Sequence, residues 1–336
     1  MTVLLSTSEQ LAEHDPGAWH VERPNRLAAV LRGAAGAGID EALVRVATRP
    51  ATHAELERVH SAGYLGALER FCLAGGGDLD PDTSVGPQSW LAALEAAGSG
   101  LDAVERLDQG EADAAFCVVR PPGHHARPNQ AMGFCLLNNV AVTAAALADR
   151  GERVLIVDWD AHHGNGTQEA FYDDGRVLYV SLHQSPLYPY TGALDETGTG
   201  AGEGCTVNLP LPAGATGDVA LAALDEVVSP AVEAFAPTWL LVSAGFDAHR
   251  RDPLTDLGLT SGDYADLTRR VLDYAPAGRR LLFLEGGYDL AALADSAASC
   301  LAALAGEDHR PERATSGGPG RHVVEAARRL RLARLG

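Results

Sequence analysis

Short, continuously apolar runs recur along the chain and give its clearest signal of secondary structure. Strands that are covered on both faces carry such unbroken runs, whereas strands with one solvated face alternate apolar and polar residues. The continuous pattern therefore predicts strands of a buried, mostly parallel sheet. The predicted strands span residues 3–7, 114–119, 153–159, 177–183, 206–211, 239–245 and 280–287.

Helical stretches rich in Ala and Leu separate several of these strands, over residues 88–107, 137–150, 218–235 and 261–275. Strands that alternate with helices predict a three-layer α/β fold, in which a doubly wound sheet lies between two layers of helices. We find no internal repeat and no clear linker, so residues 1–336 are predicted to form one domain. The polar segment 306–322 should be a surface loop, and residues 323–336 should form a helix packed by its Val and Leu positions.

Three predicted strands are followed by long connections, over residues 120–135, 183–205 and 246–263. Long ordered loops in a compact domain usually carry function. In open α/β sheets, ligands bind in the crevice at the carboxyl ends of the strands. The pattern therefore predicts a site built from these three loops.

The chain of 336 residues has a formal net charge of -19 and a hydrophobic content of 46%. The hydrophobic content supports a sizeable core. The negative charge argues against a nucleic-acid partner, because phosphates attract Lys and Arg. It is compatible with a cationic substrate or partner, although an acidic surface can also serve only to keep a cytosolic protein soluble.

The five cysteines are an odd number and form no Cys-x-x-Cys pair, so neither a disulfide framework nor a structural zinc ribbon is indicated. The first ten residues lack a basic flank and a long apolar core, so we expect no signal peptide. No apolar run reaches the length of a membrane span. We therefore expect a cytoplasmic protein without a membrane partner.

Titratable residues stand at the end of the apolar run 153–159, at Asp158, Asp160 and His162. Because side chains alternate along an extended segment, these three share one face. Carboxylate and imidazole ligands suit a divalent transition metal, Zn²⁺ above all, and Asp247 after another predicted strand is the candidate third ligand. A satisfied hydrogen-bond network is the alternative that this run alone leaves open.

Polar residues also follow other predicted strands. His124 and His125 form a tandem pair, which is a candidate for acid/base chemistry beside a metal-bound water. Tyr288 follows Gly286 and Gly287, which would let its loop approach a ligand closely. All of these clusters are predicted to lie at the same edge of one sheet, which favours a functional site over isolated structural contacts.

Eight segments of the chain, in order, resemble the histone deacetylase and acetylpolyamine amidohydrolase superfamily, which has an arginase-like α/β fold. The segments are HDPGAWHVERPNRL (14–27), LDPDTSVGP (79–87), RPPGHHA (120–126), GFCLLNN (133–139), VDWDAHHGNGTQ (157–168), YVSLHQ (179–184), SAGFDAH (243–249) and LEGGYDL (284–290). The resemblance covers nearly the whole chain and its combined signature is highly specific. It implies a single zinc-dependent deacetylase catalytic domain.

The resemblance assigns roles to the candidate residues. Asp160, His162 and Asp247 would hold one catalytic zinc ion. His124 and His125 would flank the zinc-bound water, with His125 as the general base.

The remaining catalytic roles fall to three further residues. Tyr288 would stabilise the oxyanion, and Asp158 would orient His124. Asn165 would stand behind His125, where class I members carry Asp and class II-like members carry Asn. The chain thus resembles class II-like members, and the His125 imidazolium should be less stabilised.

A narrow apolar tunnel for the acyl-amine stem is also implied. Its walls would include Phe134 and Tyr188, with the Gly133 carbonyl accepting the substrate amide N–H and Gly286 close to the ligand. Core packing is the alternative for Phe134. Leu254 matches the position at which polyamine-selective relatives carry a gatekeeping Glu, so it favours an acyl-lysine-like substrate.

Two further features follow from the resemblance. A structural cation, K⁺, would lie beneath the site, held by Asp158, Asp160, His162, Ser181 and Leu182. One carboxylate of the acidic loop, among Asp78, Asp80 and Asp82, would bind the substrate backbone, and the sequence does not select one.

His14, His20 and His53 are expected at the surface or the rim of the site, and His163 and His183 are expected to be structural.

Several readings stay open at this point. The main one is a zinc-dependent deacetylase for N-acetyl-lysine or a small N-acetylated amine. An acetylpolyamine amidohydrolase would share the mechanism, and the net charge of -19 would favour its substrates. A binuclear manganese ureohydrolase and a catalytically silent acyl-lysine binding protein fit the residues less well. The acyl-chain preference, zinc or iron as the metal in the cell, and the oligomeric state, with a homodimer as one option, are not determined.

Overall fold

The structure is a computed structural model that describes residues 1–335. An eight-stranded sheet forms its centre. The strands in chain order are β1 (Val3–Ser6), β2 (Leu43–Val46), β3 (Gly77–Asp78), β4 (Ser84–Val85), β5 (Ala114–Cys117), β6 (Val154–Asp158), β7 (Val177–Gln184), β8 (Thr206–Leu211), β9 (Trp239–Ala244) and β10 (Arg280–Leu284). β3 and β4 form a separate antiparallel pair, and the other eight strands form the sheet.

The sheet order is β2-β1-β5-β10-β9-β6-β7-β8, and every neighbouring pair is parallel. Every residue of β1, β5, β6, β7 and β9 is buried, as the continuous apolar runs predict. All seven predicted strands are present. The sequence pattern missed the edge strand β2. This strand is short, and none of its four residues is fully buried.

Helices cover both faces of the sheet. They are α1 (Asn25–Gly36), α2 (His53–Leu56), α3 (Ala62–Leu73), α4 (Ser89–Asp108), α5 (Asn139–Asp149), α6 (Asn165–Phe171), α7 (Gly217–Ala223), α8 (Ser229–Phe235), α9 (Ser261–Leu272), α10 (Leu290–Ala305) and α11 (Arg321–Leu335). One layer runs through α1, α10, α9 and α7, and the other through α3, α4, α5 and α6. The predicted three-layer α/β fold is confirmed.

Local side-chain contacts set the ends of these helices. α10 begins after Asp289, whose carboxylate accepts hydrogen bonds from the backbone N–H groups of Ala291 and Ala292 at 3.1 and 2.7 Å. It ends at Gly306, whose φ of +84° favours glycine. α5 begins after Asn138, whose side chain accepts from the backbone N–H of Ala141 at 3.0 Å. The Asn138 and Asp289 caps therefore fix the points at which α5 and α10 begin.

Two helical predictions are refined by the structure. The predicted helix 218–235 is α7 and α8 joined through a π-helical turn at Leu224–Val228. In α11, Val323 and Val324 are buried as expected, whereas Leu332 is 57% exposed. Among residues 1–335, no helix is long and apolar enough to cross a membrane.

Candidate active site

The loops after β5, β6, β9 and β10 meet at one edge of the sheet. β6 lies between β9 and β7, with Asp158 in register with Ser243 on β9 and with Ser181 on β7. Because the strands are parallel, the segments that follow them leave at the same edge. The predicted metal ligands after β6 therefore lie next to Asp247 after β9.

Asp160, His162 and Asp247 form a compact buried triad. One ligand atom from each lies within 4.8 Å of the others. The Nδ1 atom of His162 lies 3.1 Å from Oδ1 of Asp160 and 2.9 Å from Oδ2 of Asp247. One ring nitrogen cannot satisfy two carboxylates with a single proton, whereas a divalent cation can be bound by all three atoms. Two carboxylates and one imidazole also match a catalytic zinc site, which has three protein ligands and an open position.

The electrostatics of the triad support the same conclusion. All three residues are buried, and His162 is the most exposed at 9%. Burial and the neighbouring charge of Asp160 raise the pKa of Asp247 above its usual range. Two adjacent buried carboxylates are costly unless a cation is close to them. The residues present therefore fit a divalent metal ion.

The tandem histidines reach this triad from the loop after β5. Nε2 of His124 lies 3.8 Å from Oδ1 of Asp160, and the rings of His125 and His162 are 5.9 Å apart. Nδ1 of His124 donates to Asp158 at 3.0 Å, and Nδ1 of His125 donates to Oδ1 of Asn165 at 2.8 Å. Both rings thus carry a proton on Nδ1, so Nε2 is the ring nitrogen that can gain or lose a proton.

The two histidines differ in their acid/base character. Burial alone would lower the pKa of His124, but the charges of Asp158 and Asp160 outweigh it and hold this pKa well above its usual range. Burial lowers the pKa of His125 well below its usual range, and the neighbouring His124 lowers it further. Asn165 adds no charge to oppose this shift, so the His125 ring is neutral near pH 7 and its Nε2 is available as an acceptor.

Glu285 anchors the histidine loop, a role that the sequence alone did not reveal. Its Oε2 atom accepts from the backbone N–H groups of Gly123 and His124 at 2.7 and 3.2 Å, and Oε1 accepts from the Ser243 hydroxyl at 3.1 Å. Burial raises its pKa to about 7. Its signal in the sequence is a charged residue directly after the apolar run of β10. With His124 and Cys135 it forms a second set of potential ligands, but its hydrogen bonds to the loop give it a structural role.

Tyr288 faces the triad from the loop after β10. Gly286 donates its N–H to Oδ2 of Asp160 at 2.8 Å, and a Cβ atom at Gly286 would collide with the carboxylates of Asp247 and Asp160. Glycine is therefore required where this loop passes the triad. The guanidinium of Arg26 lies 5.1 Å from the centre of the Tyr288 ring and donates to the Gly287 carbonyl at 2.8 Å. Burial raises the pKa of Tyr288 well above its usual range, so its hydroxyl stays a donor.

A cavity of about 250 Å³ leads to these residues. All five residues expected to contact substrate line it: Gly133, Phe134, Tyr188, Leu254 and Gly286. The ring of Tyr188 packs edge-on against His125 at 5.3 Å, and that of Phe134 packs edge-on against Tyr288 at 5.8 Å. Phe134 is thus part of the cavity wall rather than only of the core.

The segment Gly133–Phe134 has a strained backbone. Both residues have positive φ, +56° and +68°, and a non-glycine residue in this region costs about 1–2 kcal/mol. The Phe134 N–H donates to the Thr83 hydroxyl at 3.1 Å, and the His20 ring packs edge-on against Phe134 at 4.7 Å. A Cβ atom at Gly133 would collide with the ring of His125. These contacts hold Phe134 in the wall of the cavity.

The structure separates the carboxylates of the acidic loop. Asp82 lines the cavity, whereas Asp78 accepts from the Ser84 hydroxyl at 2.6 Å in the β3–β4 pair. Asp80 accepts from the N–H of Asp82 at 3.0 Å and so stabilises the turn. Of these three carboxylates, Asp82 is the one that lies at the cavity.

The other histidines and the residues expected at a K⁺ site are placed as follows. His14 is buried and not at the surface, because it binds Ser89 at 2.7 Å and lies beside Glu22; its prediction was wrong. His20 lies at the rim and His53 is exposed, as expected. His163 and His183 are buried, and they form hydrogen bonds with Thr191 and Ser181, respectively.

Asp158 and Ser181 are in register on β6 and β7, with Leu182 next to Ser181.

The model of the histone deacetylase domain matches residues 20–304. A probable deacetylase from Archaeoglobus fulgidus is 42% identical over 307 residues, which cover 89% of this chain and 85% of that protein. The chain belongs to the histone deacetylase family.

Other family members agree with this assignment. A histone deacetylase-like amidohydrolase from Pseudomonas aeruginosa is 44% identical over 246 residues, which cover 71% of this chain and 64% of that protein. The crystal structure of the HDA15 HD domain superposes with a TM-score of 0.91 at 37% identity, covering 99% of this chain and 94% of that one. Histone deacetylase 15 of Arabidopsis thaliana is 41% identical, and the match covers 54% of its length. Membership in this family supports hydrolysis of an amide.

Proposed function

We propose that the protein is a zinc-dependent deacetylase that hydrolyses the acyl amide of N-acyl-lysine. One observation carries this proposal: His162, a member of the buried triad with Asp160 and Asp247, lines a cavity together with His125 and Tyr288. The proposal is that an extended acyl-amine enters this cavity, with the triad as the metal ligands, His125 as the base and Tyr288 as the hydroxyl donor.

The proposed mechanism assigns one task to each group. A bound zinc ion would act as a Lewis acid and lower the pKa of a coordinated water. His125 accepts the proton of the attacking water at Nε2. Tyr288 donates its O–H to the carbonyl oxygen as that oxygen gains negative charge. A histidine of the tandem pair then protonates the leaving amine, and Asp158 keeps His124 in the required orientation.

The substrate class is proposed from the mouth of the cavity. Leu254 lines the mouth and is apolar, so it offers no partner for a second ammonium group. Trp19 is 99% exposed next to the rim residue His20, and Tyr190 is 80% exposed two positions after Tyr188. Exposed aromatic side chains are typical contacts for a polypeptide. These contacts favour acyl-lysine in a peptide as the substrate. The net charge of -19 is the one observation that points instead to an acylated polyamine.

A side-by-side assay tests the proposed function. Zinc-loaded protein is assayed with an acetyl-lysine peptide, with N-acetylputrescine and with N-acetylspermidine, and the His125→Ala variant serves as the control. We expect the highest kcat/KM for the peptide and loss of all turnover in the control. Faster turnover of the polyamines would replace the proposed substrate, and no turnover by zinc-loaded protein would favour a silent acyl-lysine binding protein.

The gate position gives a sharper prediction. Leu254→Glu should raise kcat/KM for acetylspermidine by about 10-fold or more, because a hydrogen bond between the new carboxylate and the second ammonium contributes about 1.5–3 kcal/mol. Leu254→Gln is the matched control, since it has the same size and polarity but no charge. A similar gain in both variants would show that charge at this position does not select the substrate.

The partner of His125 predicts a change in pH dependence. Asn165→Asp places a carboxylate at the position of Oδ1, 2.8 Å from Nδ1 of His125, and should raise the pKa of His125. Because the base must be neutral, the acidic limb of the kcat/KM profile should then move to higher pH. The measurement is kcat/KM from pH 5 to 9 for wild type and variant. An unchanged acidic limb would contradict the role of His125 as base.

Further parts of the proposal concern the surroundings of the site. We propose that Asp82 contacts the substrate backbone, and that Asp158, Asp160, His162, Ser181 and Leu182 bind a structural K⁺ ion. We also propose that residues 1–336 act as one catalytic domain and that the protein is cytoplasmic.

A further inference from the structure

Asp252, a buried carboxylate outside the proposed metal triad, binds the backbone at two points beside the cavity. Its Oδ2 atom accepts from the N–H of Tyr288 at 2.8 Å, and its Oδ1 atom accepts from the N–H of Leu254 at 3.0 Å. Leu254 and Tyr288 line the cavity from two different loops, those after β9 and β10. One side chain thus joins the mouth of the cavity to the proposed oxyanion donor.

The surroundings of Asp252 make this carboxylate costly. It is 8% exposed, and no ion pair to it is found among the described side chains, those of residues 1–332. Burial and the nearby charge of Asp247 raise its pKa to about 7. A buried carboxylate beside Asp247 and Asp160 lowers the stability of the fold unless its hydrogen bonds compensate. The two backbone N–H groups that it accepts are those of residues at the cavity.

Two other side chains bind the backbone of the Tyr288 loop, both at residues that precede Tyr288. Gly286 donates to Asp160, and Arg26 donates to the Gly287 carbonyl. The hydroxyl of Thr255 donates to the Asp247 carbonyl, which ties the Asp252 segment to a metal ligand. Within the described chain, Asp252 provides the side-chain contact at the Tyr288 N–H, and the same side chain fixes Leu254.

We propose that Asp252 is a positioning residue that sets the Tyr288 hydroxyl at the reacting amide and the Leu254 side chain at the mouth of the cavity. The inference rests on the proposed function, since it concerns the same reaction. Asp252 acts through Tyr288 and Leu254, because it is not among the described residues that line the cavity. Loss of its two hydrogen bonds would free the Tyr288 loop to move relative to the triad.

A double-mutant cycle tests this role. Asp252→Ala should lower kcat about 10–100-fold, as expected when a catalytic group is misplaced by about 1 Å, with a much smaller change in KM. In the Tyr288→Phe background the same substitution should lower kcat less than about 3-fold, because the hydroxyl that Asp252 positions is already absent. Zinc content should stay at the wild-type level in all four proteins.

Two further variants keep the test decisive. Asp252→Asn is close in shape, retains one acceptor oxygen and should show an intermediate loss of kcat even if the Ala variant does not fold. Asp256→Asn is the matched control, because Asp256 is exposed in the same loop and should leave kcat unchanged.

The outcomes separate this inference from the proposed function. If Asp252→Ala and Asp252→Asn keep wild-type kcat, or if Asp252 substitutions lower kcat equally in both backgrounds, the positioning role is overturned while deacylation stands. If zinc-loaded wild type hydrolyses none of the acylated amines, the proposed function fails and this inference fails with it. Coupled losses with intact zinc content support both.

Discussion

Replacement of Tyr288 by Phe should lower kcat for deacylation by about 10²–10³-fold, the effect of removing one donor to a developing oxyanion. The ring should stay in place, because Arg26 lies over it at 5.1 Å and Phe134 packs against its edge at 5.8 Å. The variant therefore differs from wild type mainly by one hydroxyl. Burial raises the pKa of Tyr288, so wild type has this donor throughout the pH range of activity.

The measurement is steady-state kinetics with an acetyl-lysine peptide, together with zinc content by mass spectrometry. Tyr190→Phe is the matched control, because it also removes only a hydroxyl and keeps the exposed aromatic ring that is proposed to contact a peptide. We expect wild-type kcat in the control and wild-type zinc content in both variants. A Tyr288→Phe protein with unchanged kcat would rule out the assigned role of the hydroxyl.

Replacement of Asp247 by Ala should abolish tight zinc binding and reduce turnover to the background rate. The substitution leaves only Asp160 and His162 of the triad, whereas a catalytic zinc site needs three protein ligands. The loss of zinc affinity should exceed the roughly 10–100-fold that follows loss of an outer-shell contact. Zinc content after dialysis and kcat with the peptide measure both effects.

Asp256→Ala provides the control for this substitution, since it removes an exposed carboxylate from the loop that carries Asp247. It should keep one equivalent of zinc and wild-type activity. If Asp247→Ala also kept one equivalent of tightly bound zinc, the metal would have to be held elsewhere, and the triad would not be the catalytic centre.

The inner strands and the triad could be predicted from the sequence for the same physical reason. A strand buried on both faces needs a continuous apolar run, so β6 and β9 stand out, and charged residues directly after such runs are conspicuous. Asp160, His162 and Asp247 are in that position, and the structure brings their ligand atoms within 4.8 Å. The edge strand β2 gives no such signal, because it is half-exposed.

The residues that support the site were not predictable in this way. Asp252 and Glu285 accept hydrogen bonds from backbone N–H groups that lie 36 and 162 positions away in the sequence. A backbone N–H is present at nearly every residue, so a residue pattern does not show which one a carboxylate will bind. His14 was misplaced for a related reason, since its contacts to Ser89 and Glu22 depend on how the amino-terminal segment folds against α4.

One zinc ion at the triad is proposed to make this chain a deacetylase. The most direct test is to titrate metal-stripped protein with zinc and to measure acetate release from an acetyl-lysine peptide at each addition. We expect no release without metal, a linear rise to one equivalent of zinc, and no rise for Asp247→Ala. Full activity in the presence of a strong chelator, or no activity at one equivalent of bound zinc, would contradict it.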